Sequence, residues 1–456
     1  MKKVIIIIGL LGILTTSYGQ QQYFSKQQLN ADFDSLLISI EEIHPNMFAN
    51  ISKEVFDLKV IQARNSIKDS MTRMEFFIIA APVVACLQDG HTHMQFPGND
   101  ISLVQDKLFP FPVNVSWRDS TARVSDDRSE PKSGIPVGAQ ILEINQRPIQ
   151  QILGKMYNLV SGEKVFFKNY NTEVNFTRYL YLLYHDTAFS ISYKYENQIF
   201  NKTVAGIPVN QRYPSSAPVQ TTPSNQPKRN ISLNLKILPD SSIAIITLYY
   251  FPKDNWYPGL DSVFYILHKQ KIKDLIIDIR NNGGGNAAKG DYFFQYISKV
   301  PYKQFGATTV RTSRKQIEFH KSFYNVVDTT PIGIKNWSSG YLVPLRKTEY
   351  KFKKGNIYLL TSNNTYSSAA TFSWAFKYFK MGTIVGEETG GMAVCFGDVI
   401  MQTLPNTKLD FGISHKKFYN YGATDEDSSH GTIPDFDVPS EKALDYTIKL
   451  IMNRRK

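Results

Sequence analysis

Asp278-Ile-Arg-Asn-Asn-Gly-Gly-Gly285 and Thr365-Tyr-Ser-Ser-Ala-Ala-Thr371 decide how this chain is read. Each follows an apolar strand-like run, Asp274 to Ile279 in the first case and Asn356 to Thr361 in the second. Each then leads into a helical pattern. Strand–turn–helix units in series predict an α/β layer with a mostly parallel sheet, and sites in such sheets form at the carboxyl ends of strands. Gly283-Gly284-Gly285 frees backbone amides at one such end, and Ser367 sets a hydroxyl at a helix start at the other. A serine that attacks while amides hold an oxyanion needs those two items side by side. Serine is also among the commonest helix caps. The glycine turn on the adjacent strand favours the nucleophile over the cap. Ser368 competes for the same role, or its amide completes an oxyanion hole with Gly283 and Gly284.

Outward from these motifs, residues 231–456 alternate strand and helix. The expected elements are strands over Ser242 to Tyr249 and Thr383 to Glu387, and helices over Gly259 to Lys269, Ala287 to Val300 and Ser367 to Phe379. Residues 211–230 carry Pro214, Pro218, Pro223 and Pro227 among polar residues and read as a linker. Residues 101–210 read as short strands, among them Phe109 to Val115, Ala122 to Ser125 and Ala188 to Tyr195. Within them Gly134-Ile-Pro-Val-Gly-Ala-Gln-Ile-Leu-Glu-Ile-Asn-Gln-Arg-Pro-Ile149 has the turn-and-strand pattern of a PDZ-like module. Such modules take an extended peptide on a sheet edge, although a β-domain that only shapes a cleft fits the pattern too. Residues 20–100 are expected to be helical: Leu29, Phe33, Leu36, Leu37, Ile40 and Ile43 recur at helix spacing, and His44-Pro45 stops that run. Two more helices are expected over Lys53 to Ser66 and Arg73 to Leu87, the last ended by Asp89-Gly90. The aromatic-rich stretch from Tyr302 to Tyr350 has no assigned role.

The length of 456 residues exceeds one compact core. With 42% hydrophobic and 20% charged residues the chain is globular in composition, and its net charge of +12 is dispersed. No basic stripe or nucleic-acid module accompanies that charge, so no nucleic-acid partner is expected. Met1-Lys2-Lys3, the apolar run Val4 to Leu14 and the small residues around Gly19 form a signal-peptide pattern over 1–19. The mature protein is therefore expected to be periplasmic or secreted, with no integral membrane segment after cleavage. Cys86 and Cys395 are the two cysteines. They can pair or stay free, and the sequence does not fix the oligomeric state.

The two motifs resemble the nucleophile and glycine segments of the C-terminal processing (tail-specific) serine peptidases and their tricorn-like relatives. The resemblance spans nearly the whole mature chain: a helical start, a PDZ-like insert, then an α/β domain. Thr383-Ile-Val-Gly-Glu-Glu-Thr-Gly-Gly391 continues it and sets the family's serine on Ser367. The processing peptidases place a lysine base shortly after this segment, where the chain has Met392. Lys377 and Lys380 fall within the expected helix and read as surface charges. The tricorn-like branch instead takes a histidine base from a segment that Leu87-Gln-Asp-Gly-His-Thr-His93 resembles, which nominates His91. Histidine suits the role near neutral pH.

That branch also implies an orienting carboxylate shortly before Gly431-Thr-Ile-Pro-Asp435. Ser428 stands at the register, and Asp427 or Glu426 just before it would supply the group; His430 is an alternative base. His91-Thr92-His93 could share a cation only if Asp89 or His430 joined it, and no cofactor or metal is expected. The implied function is a serine peptidase acting on peptide or protein through an acyl-enzyme. The alternative is a catalytically inactive ligand- or peptide-binding protein on the same fold, since retinoid-binding relatives exist in the family.

Overall fold

The computed structural model describes residues 22–98, 111–118, 121–129, 132–207, 232–239, 241–326, 328–338 and 340–455. The expected signal peptide and Pro-rich linker lie outside the described residues. The N-terminal region folds as α1 (Lys26–Ile43), α2 (Lys53–Ser66) and α3 (Arg73–Ala85). Strands β1 (Tyr23–Phe24) and β2 (Met71–Thr72) pair antiparallel across it. A capping box at Ser25 and Gln28 starts α1, and the proline after His44 ends it. Helix α3 stops two residues before the expected Leu87. Gln88 then turns left-handed at φ 53°, and the chain passes through Asp89-Gly90 into β3 (His93–Met94).

Strands β4 (Val113–Arg118), β5 (Thr121–Asp127), β6 (Gln140–Ile144), β7 (Arg147–Pro148), β8 (Ala188–Tyr195) and β9 (Gln198–Ala205) form an antiparallel insert. Its order is β4-β5-β6-β8-β9, with β7 beside β6. Two helices there had no counterpart in the expectation of short strands: α4 (Ile149–Tyr157) and the 20-residue α5 (Val165–Tyr184). The β-branched and aromatic residues of α5 favour strand locally. Thr172, Phe176, Tyr179 and Leu180 nevertheless fall on one buried face at helix spacing, and packing decides the outcome.

The parallel α/β layer is built from β10 (Leu233–Leu238), β11 (Ile243–Leu248), α6 (Tyr257–Lys269), β12 (Asp274–Asp278) and α7 (Ala287–Ile297), continued by β15 (Asn356–Thr361), α9 (Ser368–Tyr378), β16 (Thr383–Gly386), β19 (Phe436–Asp437) and α10 (Ser440–Arg454). The strand order is β10-β11-β12-β15-β16-β19. All neighbours pair parallel except the edge pair β10–β11. Alternation splits the sheet's side chains between two cores. Ala244, Ile246, Leu275, Ile277 and Leu359 pack against α6, α7 and α9; Ile243, Ile245, Ile276, Tyr358 and Leu360 pack against α10. Burial of each such Ile or Leu contributes about 1.5–3 kcal/mol, so a one-residue slip would be costly.

The described residues of the 302–350 stretch form regular elements. They supply β13 (Phe305–Thr312), α8 (Arg314–Tyr324) and β14 (Gly333–Ser338). With the long hairpin β17 (Val394–Thr403) and β18 (Asp410–Asn420) these form a second, antiparallel sheet in the order β14-β13-β18-β17. Strand β3 joins it, His93 opposite Gly412 and Met94 opposite Phe411. No helix of the described residues is long and apolar enough to cross a membrane.

The hairpin is tied to the N-terminal helices by buried Asp32 of α1. Its carboxylate accepts the Asn406 N–H at 2.8 Å, the Asn406 side-chain amide at 2.9 Å, the Thr407 N–H at 2.7 Å and the Thr407 hydroxyl at 2.5 Å. Replacing Asp32 by Ala strands these donors and is expected to lower unfolding free energy by about 2–4 kcal/mol in urea titration, with Asn recovering part of it.

Candidate active site

Residue 367 carries the strain of this site. Ser367 has φ 51° and ψ −129°, a conformation that costs a non-glycine residue on the order of 1–3 kcal/mol. It stands before the first turn of α9 but makes no side-chain bond to that helix. Its Oγ instead lies 3.0 Å from His91 Nε2, across 276 positions of sequence. The hydroxyl is therefore not spent as a cap. Ser368 is committed elsewhere, its hydroxyl donating to the Gly285 carbonyl at 2.7 Å.

Glycine is required in the turn opposite. Gly284 (φ 105°) would place a Cβ 2.7 Å from the Ser367 Cβ and 2.9 Å from the Ser368 amide nitrogen, and a Cβ on Gly285 (φ 127°) would overlap the Phe251 carbonyl. The glycine turn thus touches the serine as the sequence implied. The Gly284 N–H, however, already donates to Asn282 Oδ1 at 2.8 Å, so in this arrangement it is engaged rather than free. The Ser368 amide, in the first turn of α9, lies against the same glycine.

His91 is held from below by Asp89. The fully buried Asp89 carboxylate accepts the His91 N–H at 3.0 Å and the Thr92 and Ser414 hydroxyls at 2.5 and 2.7 Å, and it lies 3.3 Å from His44 Nε2. Burial pushes the Asp89 carboxyl up, but the His44 hydrogen bond and charge, the His91 charge and the Thr92 hydroxyl outweigh it and hold it well below the usual range. For His91 the largest influence is burial, which lowers its pKa. Asp89 pulls the other way, His93 adds to the lowering, and Asp398 opposes it.

The other ring nitrogen of His91 meets a residue the sequence did not single out: Tyr366 Oη lies 3.2 Å from Nδ1. Its only signal was adjacency to the serine, and an aromatic there reads as core. Asp427 and Glu426, expected to orient the base, are not hydrogen-bonded to His91. They lie on the 3-10 turn Asp425–Ser429, where Asp427 accepts the Thr424 N–H at 2.8 Å and its hydroxyl at 3.3 Å in a local capping box. Its other oxygen is 3.4 Å from His430 Nε2. Glu426 is exposed. His430 is thus occupied away from the serine, its Nδ1 2.8 Å from the Gly431 carbonyl oxygen. Lys377 donates to the Ile433 carbonyl at 2.5 Å. His93 faces the His91 carbonyl at 3.1 Å, and among the described residues no group of three His, Cys, Asp or Glu is placed to hold a metal. Cys86 and Cys395 are both free thiols.

Residues 242–438, just under half of the chain, match the family model described as Peptidase family S41. That span contains both motifs, and the match supports a peptidase domain there. Among solved structures, mature CPAF complexed with lactacystin aligns with TM-score 0.63 at 13% identity, covering 93% of this chain and 98% of that one. Mature CPAF aligns with TM-score 0.62 at 14% identity, covering 93% and 96%. At these identities the likeness is one of fold. A comparison with curated proteins gave no match.

The environment of His91 sets an expected pH dependence. A histidine base acts when neutral, and the His91 pKa lies below the ordinary 6.5. Neutral imidazole therefore persists below that pH, and the acid limb of Ser367 labelling by a fluorophosphonate is expected to have its midpoint below pH 6.5. A midpoint above 6.5 would contradict this environment.

Proposed function

We propose that the chain is a periplasmic or secreted serine peptidase of the C-terminal processing type, cleaving peptide bonds through an acyl-enzyme. The observation that carries this reading is the strained Ser367 hydroxyl, unused as a helix cap and 3.0 Å from His91 Nε2. An inactive binding protein would have no need of that contact or of the strain that presents it. Ser367 attacks the scissile carbonyl while His91 takes its proton, then returns it to the leaving amine. The oxyanion is held by the Ser368 N–H and by an amide of the Gly283-Gly284 turn, with Gly284 exchanging its bond to Asn282 for the developing charge. Met392 fills the position of the processing peptidases' lysine, and the base is the histidine of the tricorn-like branch.

Substrate polypeptide is assigned to the cleft beside these strand ends. About 740 Å³ in volume, this cleft is lined by Trp117 and Tyr170 of the insert and by Asn281, Asn363, Glu387 and Ser440 of the parallel α/β layer. Strand β9, exposed along almost its whole length at the edge of the insert's sheet, offers a row of backbone groups for PDZ-like pairing with an extended chain.

Fluorophosphonate labelling with peptide mapping of the product tests the assignment. Modification is expected at Ser367, abolished in Ser367→Ala, slowed roughly 10²–10⁴-fold in His91→Ala and largely retained in Ser368→Ala. Folded protein that stays unlabelled, or labelling that survives His91→Ala, would remove the serine–histidine reading.

A further inference from the structure

His91 has a hydroxyl, not a carboxylate, at its second ring nitrogen, and that hydroxyl is held rigidly. Tyr366 is 8% exposed. Phe167 of α5 stacks on its ring at 4.1 Å and 14°, and the His91 ring lies 4.8 Å away on its own account, inclined at 29°. Gly90 presses on the phenol from the third side, where a Cβ would overlap the Tyr366 oxygen. Withdrawal of the phenol is closed in each of these directions.

Beside that oxygen stands a buried acid. Glu163, in the loop that leads into α5, acts on the Tyr366 phenol through its charge, and both side chains close on Gly90. Its Oε1 accepts the Gly90 N–H at 3.3 Å, and its Oε2 is buried with no partner of its own. A phenol can accept one hydrogen bond while donating another. If Oη accepts from His91, its proton needs an acceptor, and the unused carboxyl oxygen is the available one.

We propose that Tyr366, backed by Glu163, is the positioning residue for His91 and takes the place that a carboxylate holds in other Ser–His hydrolases. Oη accepts the Nδ1–H, which fixes the tautomer whose bare Nε2 faces Ser367, and the phenolic proton is directed at the Glu163 carboxyl. This rests on Ser367 and His91 being nucleophile and base. The ionised Glu163 carboxylate is the form that accepts the phenolic proton; burial, with the Asp89 charge beside it, raises its pKa to about 8, so that direction is fixed most firmly above this pH. Because Glu163 and Phe167 both belong to the insert, the base is fully oriented only while the insert is seated on the parallel α/β layer.

The test is the rate of Ser367 labelling by a fluorophosphonate across pH, in full-length protein. Tyr366→Phe keeps the ring stack and is expected to slow labelling roughly 10- to 100-fold, less than the ~10⁴-fold seen when a charged orienting carboxylate is lost. Its acid midpoint should also fall, because an acceptor favouring imidazolium is gone. Glu163→Leu should slow labelling in the same direction, whereas Glu163→Gln, which keeps an acceptor oxygen, should stay near the wild-type rate. Adding Glu163→Leu to Tyr366→Phe should cost nothing further, because Glu163 acts through the phenol. Wild-type rate and midpoint in folded Tyr366→Phe would overturn the proposal and pass the orienting role to the Phe396 carbonyl, which also favours protonated His91. If Tyr366→Phe does not fold, the contrast between Glu163→Leu and Glu163→Gln decides, and equal rates there would overturn it. His91→Ala separates the two levels: unchanged labelling in it would refute the base itself, while its loss beside an unaffected Tyr366→Phe would refute only the positioning role.

Discussion

The Asp89 carboxylate is the point on which the geometry of the site depends. One buried group gathers the His91 backbone, the Thr92 and Ser414 hydroxyls and the His44 ring. Those contacts join the end of the N-terminal helices to β18 in the second sheet, and β3 pairing with β18 extends the same junction. A charged acceptor with this many partners fixes direction as well as distance, because its partners come from the end of α1, the loop before β3 and β18. The loop that bears His91 is thereby referred to the β17–β18 hairpin. The serine, in contrast, is referred to the parallel sheet through Thr365, whose hydroxyl donates to the Ile279 carbonyl at 3.0 Å. The Ser367–His91 contact measures how well two separately built layers meet.

The strain at Ser367 belongs to the same construction. Gly391 and Gly284 both approach it closely, a Cβ on Gly391 coming 3.0 Å from the Ser367 amide nitrogen and one on Gly284 2.7 Å from its Cβ. Only backbone without side chains leaves room for the turn that throws the hydroxyl outward. Residues around the turn supply the compensation: the Asn282 side chain donates to the Leu248 carbonyl at 3.1 Å, and its backbone carbonyl takes the Tyr366 N–H at 3.1 Å. Strain held by such surrounding bonds keeps the Ser367 hydroxyl turned toward His91.

Legibility in the sequence divides between local and long-range features of this construction. Ser367, the glycine turn and the parallel layer were legible because each is a local pattern: apolar strand, breaker, helix. His91 was nominated by the resemblance of Leu87-Gln-Asp-Gly-His-Thr-His93 to the histidine segment of the tricorn-like branch. The orienting group was not legible. Asp427 was the acid one residue from the register, where Ser428 stands, but Thr424 three residues before it claims that carboxylate for a cap, an outcome decided by a neighbour rather than by the site. Tyr366 and Glu163 are 203 positions apart in sequence and meet only because α5 packs where it does. That helix was itself hidden by its Val, Tyr and Phe content, and a residue that acts from a misread element leaves no trace in a linear pattern. The 302–350 stretch was opaque for a related reason, since its strands are completed by a hairpin about 100 residues later.

The electrostatics explain why a phenol is suited to this position. His91 already lies within the influence of Asp89 and Asp398, each of which favours its protonated form. Asp398 is itself tied to Lys416, which limits how much charge it lends. A third carboxylate aimed at Nδ1 would be desolvated beside Asp89 and would tend to pick up a proton, as Glu163 does when burial and that same neighbour raise it to about 8. A carboxyl protonated in this way no longer fixes the histidine tautomer, because it can donate as readily as accept. A phenol stays protonated in such surroundings: burial and the nearby acids push the Tyr366 pKa well above its usual value. With its own proton drawn toward Glu163, its oxygen is left to accept from Nδ1. The division of labour is then consistent: Asp89 and Asp398 stabilise imidazolium from a distance, and neutral Tyr366 sets the direction in which the ring faces.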